Sequence, residues 1–382
     1  MTASPPSSLF DLASTDAADR ASAIAAAVDA LAASRLIVFP TETVYGLGAA
    51  ASSPAGIDLL AETAHRPAAT PNGSTWHIHS PDLVLELLKL EFPAHRRLLT
   101  RLLPGPVTFH IELGSDAIDS VRHSIGAASG SFGVETLAVR VPDHPLARDL
   151  LEAAWRRHIP VIATSIAAAG WGDGSALTDA ARRSRVPAVL IDDGPTRHGR
   201  ISTAVRLTRA GGYKIMSEGA MEARMVHKQM ERTVVFVCTG NTCRSPMAEA
   251  IARQVASESS IADQVITTRF VSAGTSAESG APATPETIEA LTGLGIDTAS
   301  LKKHRAHALT RQLLADADAV YAMTAAHARA ARAVDPASAD KVHLLDPDGR
   351  DIPDPIGGSL EVYTRTAQRL LELIRRRLAE TD

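Results

Sequence analysis

One segment constrains this 382-residue chain more than any other: Val234-Val235-Phe236-Val237-Cys238-Thr239-Gly240-Asn241-Thr242-Cys243-Arg244-Ser245-Pro246. Four β-branched or aromatic residues in a row read as a buried strand. The strand ends on a cysteine, a glycine-containing turn follows, and Ser245-Pro246 suit a helix cap and a first helical position. Strand, loop and helix in that order belong to an open α/β sheet, which holds its sites at the carboxyl ends of its strands. Backbone N–H groups of such a turn converge into an anion cradle, helped by the helix dipole. Arg244 adds a guanidinium able to grip a phosphate-sized dianion through two parallel hydrogen bonds. The same positive field favours a thiolate on Cys238, which is a nucleophile for phosphoryl transfer. Taken singly, these residues say less. A lone cysteine at a strand end is usually a small buried hydrophobe, and a bare Cys-x5-Arg spacing is weak.

Cys238 and Cys243 are the only cysteines, which excludes a disulfide-built fold and a cysteine-rich zinc module. Two thiols five residues apart with no neighbouring histidine fall short of a zinc set, so no metal site is expected. Charge is nearly balanced, 39 basic against 43 acidic residues. Strong RNA binding is therefore not expected, although a local basic groove stays open. The first twenty residues lack a basic start followed by an apolar run, and no eighteen-residue apolar window occurs. A cytoplasmic location without a membrane partner is expected.

The length suggests two domains. Residues 1–17, rich in Ser, Pro and Ala, read as a flexible tail. From 18 to 224, short apolar runs (Leu36–Phe39, Val107–Ile111, Leu137–Val141, Val161–Ala163, Ala188–Ile191) alternate with helical stretches such as Pro81–Leu90 and Leu146–Arg157, giving a first α/β domain. Residues 225–232 read as a linker. From 233 to 382, β-like runs at Val234–Val237, Val265–Ser272, Ala319–Met323 and Val342–Leu345 alternate with helical ones at Pro285–Leu294, Ala325–Val334 and Leu360–Leu378. The expected second fold is a small parallel sheet flanked by helices.

CTGNTCRSPMAEA resembles the phosphate loop of the low-molecular-weight protein tyrosine phosphatase family, and the likeness runs over about residues 232–380. Ser272-Ala273-Gly274-Thr275, Ala317-Asp318, Ala322-Met323-Thr324 and Asp354-Pro355 follow in the family's order. The resemblance implies Cys238 as nucleophile, Arg244 as phosphate clamp and Asp354 as general acid, with Asn241 and Ser245 ordering the loop. It implies no cofactor. A carboxylic acid is needed because an alkoxide, phenoxide or neutral nitrogen leaving group must be protonated. Asp351, in the same loop, is the alternative to Asp354; both are ordinary turn residues when read alone.

In typical tyrosine phosphatases of this family a bulky aliphatic precedes the second cysteine and aromatics follow Asp-Pro. Thr242 and Ile356-Gly357-Gly358-Ser359 stand there, a pattern similar to the protein-arginine phosphatase branch. A phosphoarginine protein substrate is expected, with phosphotyrosine as the alternative. Thr242 could orient water or the guanidinium leaving group, and lost aromatic walls remove the grip on a phenyl ring. Cys243 is either a loop-packing thiol or the partner that traps oxidised Cys238 as a disulfide. A redox-sensing thiol protein with little turnover is the third class.

In the first domain, Pro40-Thr41-Glu42-Thr43-Val44-Tyr45-Gly46-Leu47-Gly48 reads by itself as a turn after a strand. Together with Leu103–Thr108, Ala138–Pro142, His144-Pro145 and Gly199–Val205 it resembles the YrdC-like threonylcarbamoyl-AMP synthase family over about residues 18–224. That family makes threonylcarbamoyl-adenylate from L-threonine, bicarbonate and ATP for tRNA modification, on a twisted α/β sheet. The resemblance implies a pocket for ATP, with Mg²⁺, and L-threonine formed by Thr41, Thr43, Arg66, Arg140, Ser165 and Ser202. Three polar residues of the pattern are missing: Ala64 stands for a Lys, Ala167 for an Asn and Ala169 for a Ser, the first two being the stronger contacts. Each of those two is a charge-assisted or directional contact worth about 1.5–3 kcal/mol. The expectation is a pocket that binds a ligand or partner with synthase activity weakened or lost; a bifunctional enzyme is the alternative.

Overall fold

The computed structural model describes residues 8–12, 17–65, 74–258 and 267–379. They divide into two compact units, Met1–Met230 and Glu231–Asp382.

The first unit is built on a ten-stranded mixed sheet of β1 (Ser8–Asp11), β2 (Leu36–Phe39), β3 (Gly46–Ala50), β4 (Thr75–His77), β5 (Val107–Glu112), β6 (Thr136–Arg140), β7 (Val161–Ser165), β8 (Pro187–Asp192), β9 (Thr203–Leu207) and β10 (Tyr213–Ser217), in the order β1-β8-β2-β3-β7-β4-β6-β5-β9-β10. Every apolar run expected to be a strand is one, within two residues at either end. Helices Ala17–Ala32 and Pro145–Arg156 lay Ala23, Ala27, Leu31 and Leu146, Leu150, Ala154 against Ile37, Phe39 and Val161. Gly46 and Gly48 read as turn residues, yet they lie inside β3. A Cβ at either would sit 3.0 Å from the Phe39 ring, so glycine here makes room for an aromatic across the strand pair.

Two boundaries differ from expectation. Ser8–Asp11, placed in the flexible tail, pairs in parallel with β8 and ends at the buried Leu12. The physical reason is an exposed strand edge that any extended segment with an apolar end can cover. The rest of that tail, 1–7 and 13–16, lies outside the described residues. Of residues 225–232, read as a linker, 225–228 end helix Ala223–Lys228, 229–230 turn, and 231–232 begin the next strand. Val226 is fully buried and Met230 nearly so, which holds the segment in place.

The second unit has a four-stranded sheet of β11 (Glu231–Cys238), β12 (Thr267–Gly274), β13 (Ala319–Ala322) and β14 (Val342–Leu344), ordered β12-β11-β13-β14 with every pair parallel. Successive side chains of a strand face opposite ways, so both faces of a covered sheet need apolar residues. Val234, Phe236 and Cys238 enter the core beneath helices Arg244–Glu258 and Leu360–Ala379, while Val235 and Val237 enter the other, with Leu314 and Ala328. Tyr363, Ala367, Leu370 and Ile374 form the helical stripe that closes the first core. Val265 of the expected strand lies outside the described residues. Among the described residues no helix is long and apolar enough to cross a membrane.

Candidate active site

β11 is one of two inner strands of its sheet, and its carboxyl end delivers Cys238, 2% exposed, to the loop that turns into helix Arg244–Glu258. The loop is held by its own side chains. Asn241 is fully buried in the left-handed region, φ +57°, a conformation Asn tolerates better than most residues. Its Nδ2 donates to Ser245 Oγ at 3.0 Å, its Oδ1 accepts His307 N–H at 3.0 Å, and its backbone N–H points at Cys238 Sγ at 3.3 Å. Ser245 Oγ is 3.0 Å from Cys238 Sγ. Asn241 donates to that oxygen, so the hydroxyl proton has two acceptors within reach, Cys238 Sγ and the more distant Ala273 O at 3.3 Å, and a thiolate at Sγ is the stronger of the two.

Neighbouring strands brace the loop. Thr275 N–H donates to Cys238 O at 2.9 Å and Ser276 N–H to Thr239 O at 3.0 Å. A Cβ on Gly274 would come within 2.5 Å of Thr239 O, so glycine is required where β12 abuts the loop. His304 Nε2 donates to Asn241 O at 2.7 Å. Neither His304 nor His307 carries a local sequence signal, and sequence reading missed both.

Arg244 is 4% exposed. Its Nη1 donates to Ile352 O at 3.0 Å and its Nη2 pairs with Asp354 Oδ2, while Nε is buried without a hydrogen-bond partner. A fork with an unused donor at the mouth of an N–H cradle fits a tetrahedral oxyanion. The two aspartates separate by contact. Asp351 Oδ1 accepts the Ala325 N–H at 2.7 Å, at the start of helix Ala325–Val334, whereas the Asp354 carboxylate, partly exposed, faces Arg244 and accepts the Ile356 N–H at 3.2 Å.

Thr242 is half-buried with Oγ1 3.6 Å from Cys243 Sγ, and Ile356 stands exposed beyond Asp354. Cys238 and Cys243 are both free thiols. Cys243 lies 3.5 Å from Tyr363 Oη and 3.7 Å from Thr284 Oγ1, and burial together with the Cys243 contact pushes the Tyr363 phenol up to about 12. Thr239 Oγ1 is 2.8 Å from His327 Nε2, and Gly240 forms the turn between them and Asn241.

In the first unit three of the expected residues meet. Arg140, 5% exposed, donates through Nη2 to Thr43 Oγ1 at 2.5 Å and to Glu42 Oε1 at 2.8 Å, with Thr41 Oγ1 3.4 Å away. Glu42, buried beside it, neutralises the cation on which an anionic ligand would draw. Ser165 caps a short 3₁₀ turn, and Ser202 bonds Thr108 Oγ1 at 2.7 Å at the start of β9. Arg66 lies outside the described residues. Ala64 is buried at the end of helix Pro54–Thr63. His77 pairs with Arg140 across β4 and β6; burial, then Arg140, pulls it down to about 3. A cavity of about 230 Å³ opens beside this cluster, lined by Thr41, Glu42, His144, Asp193, Thr196 and Arg197. No group of three or more His, Cys, Asp or Glu side chains able to hold a metal ion occurs among the described residues.

Comparison with known proteins adds names to both units. The family model described as low molecular weight phosphotyrosine protein phosphatase matches residues 233–381, and the Sua5/YciO/YrdC model, described as telomere recombination, matches 29–219. The protein-arginine-phosphatase of Bacillus subtilis is 37% identical over 146 residues, covering 37% of this chain and 91% of that protein. A probable low molecular weight protein-tyrosine-phosphatase of Ralstonia nicotianae is 35% identical over 148 residues, 38% of this chain and 91% of that protein. The threonylcarbamoyl-AMP synthase of Bacillus subtilis is 32% identical over 187 residues, 48% of this chain, and this chain spans about half of that synthase's length. The chain is thus a phosphatase of the low-molecular-weight protein phosphatase family, joined to a Sua5/YciO/YrdC domain.

Proposed function

We propose that the second unit hydrolyses phosphoarginine in proteins through a phosphocysteine intermediate. The observation that carries this reading is Cys238 Sγ held by Ser245 Oγ at 3.0 Å and the Asn241 N–H at 3.3 Å, with Arg244 and Asp354 across the mouth. The Cys238 thiolate attacks phosphorus while the bond to the leaving nitrogen breaks, and Asp354 gives that nitrogen its proton. Asp354 then takes a proton from water as the water oxygen displaces sulfur, releasing phosphate and restoring the thiolate. Bound phosphate draws the Arg244 fork away from Asp354, leaving a carboxyl open to solvent to gain its proton.

Thr242 and Ile356-Gly357-Gly358 support arginine over tyrosine: the half-buried hydroxyl is compatible with a polar guanidinium, and no aromatic in 351–359 is available to stack on a phenyl ring. Comparison of kcat/KM on phosphoarginine and phosphotyrosine peptides tests the assignment. Equal or tyrosine-favouring values refute it. A reactive thiol of this kind belongs in a reducing compartment, and the protein acts in the cytoplasm on this reading.

For the first unit, the Thr41–Thr43–Arg140 cluster beside its cavity favours a small-ligand site. Arg140 is committed to Glu42, and Ala64 and Ala167 replace two polar contacts, so the unit binds ATP or L-threonine weakly and does not complete the synthase reaction. Isothermal titration with ATP, Mg²⁺ and L-threonine tests this. Micromolar ATP binding with pyrophosphate release would overturn it.

A further inference from the structure

His327 is a buried titratable side chain beside the phosphate loop to which the steps above assign nothing. It sits in the first turn of helix Ala325–Val334, 7% exposed, and its ring bridges two hydroxyls. Nδ1 is 3.0 Å from Thr324 Oγ1 and Nε2 is 2.8 Å from Thr239 Oγ1. Either neutral tautomer of the ring can satisfy both contacts, and the difference in exposure between the two hydroxyls favours one. Thr324 Oγ1 is half-buried, accepts the backbone N–H of His327 at 3.2 Å as the helix cap, and has Nδ1 as the acceptor for its own proton, whereas the exposed Thr239 hydroxyl can turn its proton to solvent or a ligand. Nδ1 is then an acceptor, the ring proton resides on Nε2, and Nε2–H donates to Thr239 Oγ1. One lone pair of that hydroxyl is thereby filled, and its proton is turned away from the ring.

Thr239 directly follows the nucleophile, with an exposed side chain and a carbonyl pinned by Ser276. We infer that His327 is a positioning residue that makes the Thr239 hydroxyl a donor to the phosphoryl group held in the 238–245 loop. This rests on the phosphoryl group binding in that loop, and is independent of whether arginine or tyrosine carried it. Arg244, Asp354 and Asp351 are the charged groups acting on the ring; burial first, then Arg244, holds the imidazole below its ordinary range. It therefore stays neutral near pH 7 and keeps the acceptor at Nδ1 that fixes the bond direction.

The test uses the full chain with His327→Ala, His327→Gln, Thr239→Val and the double His327→Ala/Thr239→Val. Orthophosphate affinity is read by isothermal titration, and kcat and KM by p-nitrophenyl phosphate hydrolysis. The loss of one hydrogen bond, about five- to ten-fold, is expected in phosphate affinity and in KM for His327→Ala and for Thr239→Val. The double should be no weaker than Thr239→Val alone. His327→Gln, whose amide reaches the Nε2 position, should stay within about two-fold of the parent. Unchanged phosphate affinity in His327→Ala, multiplying losses in the double, or no rescue by Gln would overturn the inference. Should His327→Ala fail to fold, the Gln and Val variants decide: Gln must preserve the affinity and Val must lower it. Titration reads phosphate binding without turnover, so a chain that binds phosphate and shows no hydrolysis sinks the phosphatase mechanism alone.

Discussion

Replacing Asn241 by Ala should cost the phosphatase most of its activity while leaving the two units folded. Two hydrogen bonds disappear, the buried one from Nδ2 to Ser245 Oγ and the part-buried one from His307 N–H to Oδ1, both 3.0 Å. The His307 N–H is left without its acceptor and the Ser245 hydroxyl without the partner that aims its proton at Cys238; each such loss is worth about 1–3 kcal/mol. Alanine at φ +57° adds about 1 kcal/mol of backbone strain. The loop is destabilised by about 3–7 kcal/mol in all, and we assign about 2–3 kcal/mol of it to the transition state. That corresponds to a fall in kcat/KM on an aryl phosphate of about 30- to 150-fold. Asn241→Gly separates the two causes, since it removes the same hydrogen bonds without the strain. It should be about five-fold more active than Asn241→Ala. Steady-state kinetics with thermal melting to confirm folding make the measurement. Parental activity in Asn241→Ala, or a glycine variant no better than alanine, would refute the reasoning.

Cys238→Ser should abolish aryl phosphate hydrolysis with melting unchanged; residual turnover above about one part in a thousand would remove the thiol from the mechanism. Asp354→Asn should lower kcat about 10²- to 10⁴-fold, whereas Asp351→Ala should cost about 1 kcal/mol of stability through the freed Ala325 N–H and leave kcat within about three-fold. Comparable kinetic losses at both would refute the division of roles. Thr242→Ile should raise the ratio of phosphotyrosine to phosphoarginine kcat/KM by at least about ten-fold. His77 is held neutral in the folded first unit down to about pH 3 but takes a proton near pH 6.5 when unfolded. Its contribution to stability is present above pH 6.5 and declines as pH falls towards 3, by about 1.4 kcal/mol per pH unit. His77→Gln should flatten the melting temperature of this unit between pH 6.5 and 5; an unchanged slope would assign the acid sensitivity elsewhere.

Most of this architecture was legible from local pattern. Val234–Val237 reads as a strand because β-branched runs pack well on a pleated sheet, and Ser245-Pro246 marks a helix start because cap and ring geometry are local. The misread stretches are those where a distant partner overrides a local cue. Gly46 and Gly48 look like a turn until Phe39 is laid against them, and Ser8–Asp11 looks like a tail until β8 offers an edge. Residues 225–232 look like a linker because only two of them, Val226 and Met230, are buried anchors.

The site divides in the same way. The segment from strand to helix, 234–246, pointed by itself to the chemistry proposed for the loop, since the proposed nucleophile, cradle and clamp lie within eight residues of chain. The Asp-Pro resemblance already favoured Asp354 over Asp351; that Asp354 faces Arg244 needed the contact between residues 110 apart. The His304 and His307 supports, 63 and 66 residues from Asn241, needed the third dimension, as did His327, 88 residues from Thr239. So did the discovery that Glu42 occupies Arg140, 98 residues away. Hydrogen bonds act over about 3 Å of space whatever the chain separation. A motif can therefore announce which groups react, but only folding decides which groups hold them.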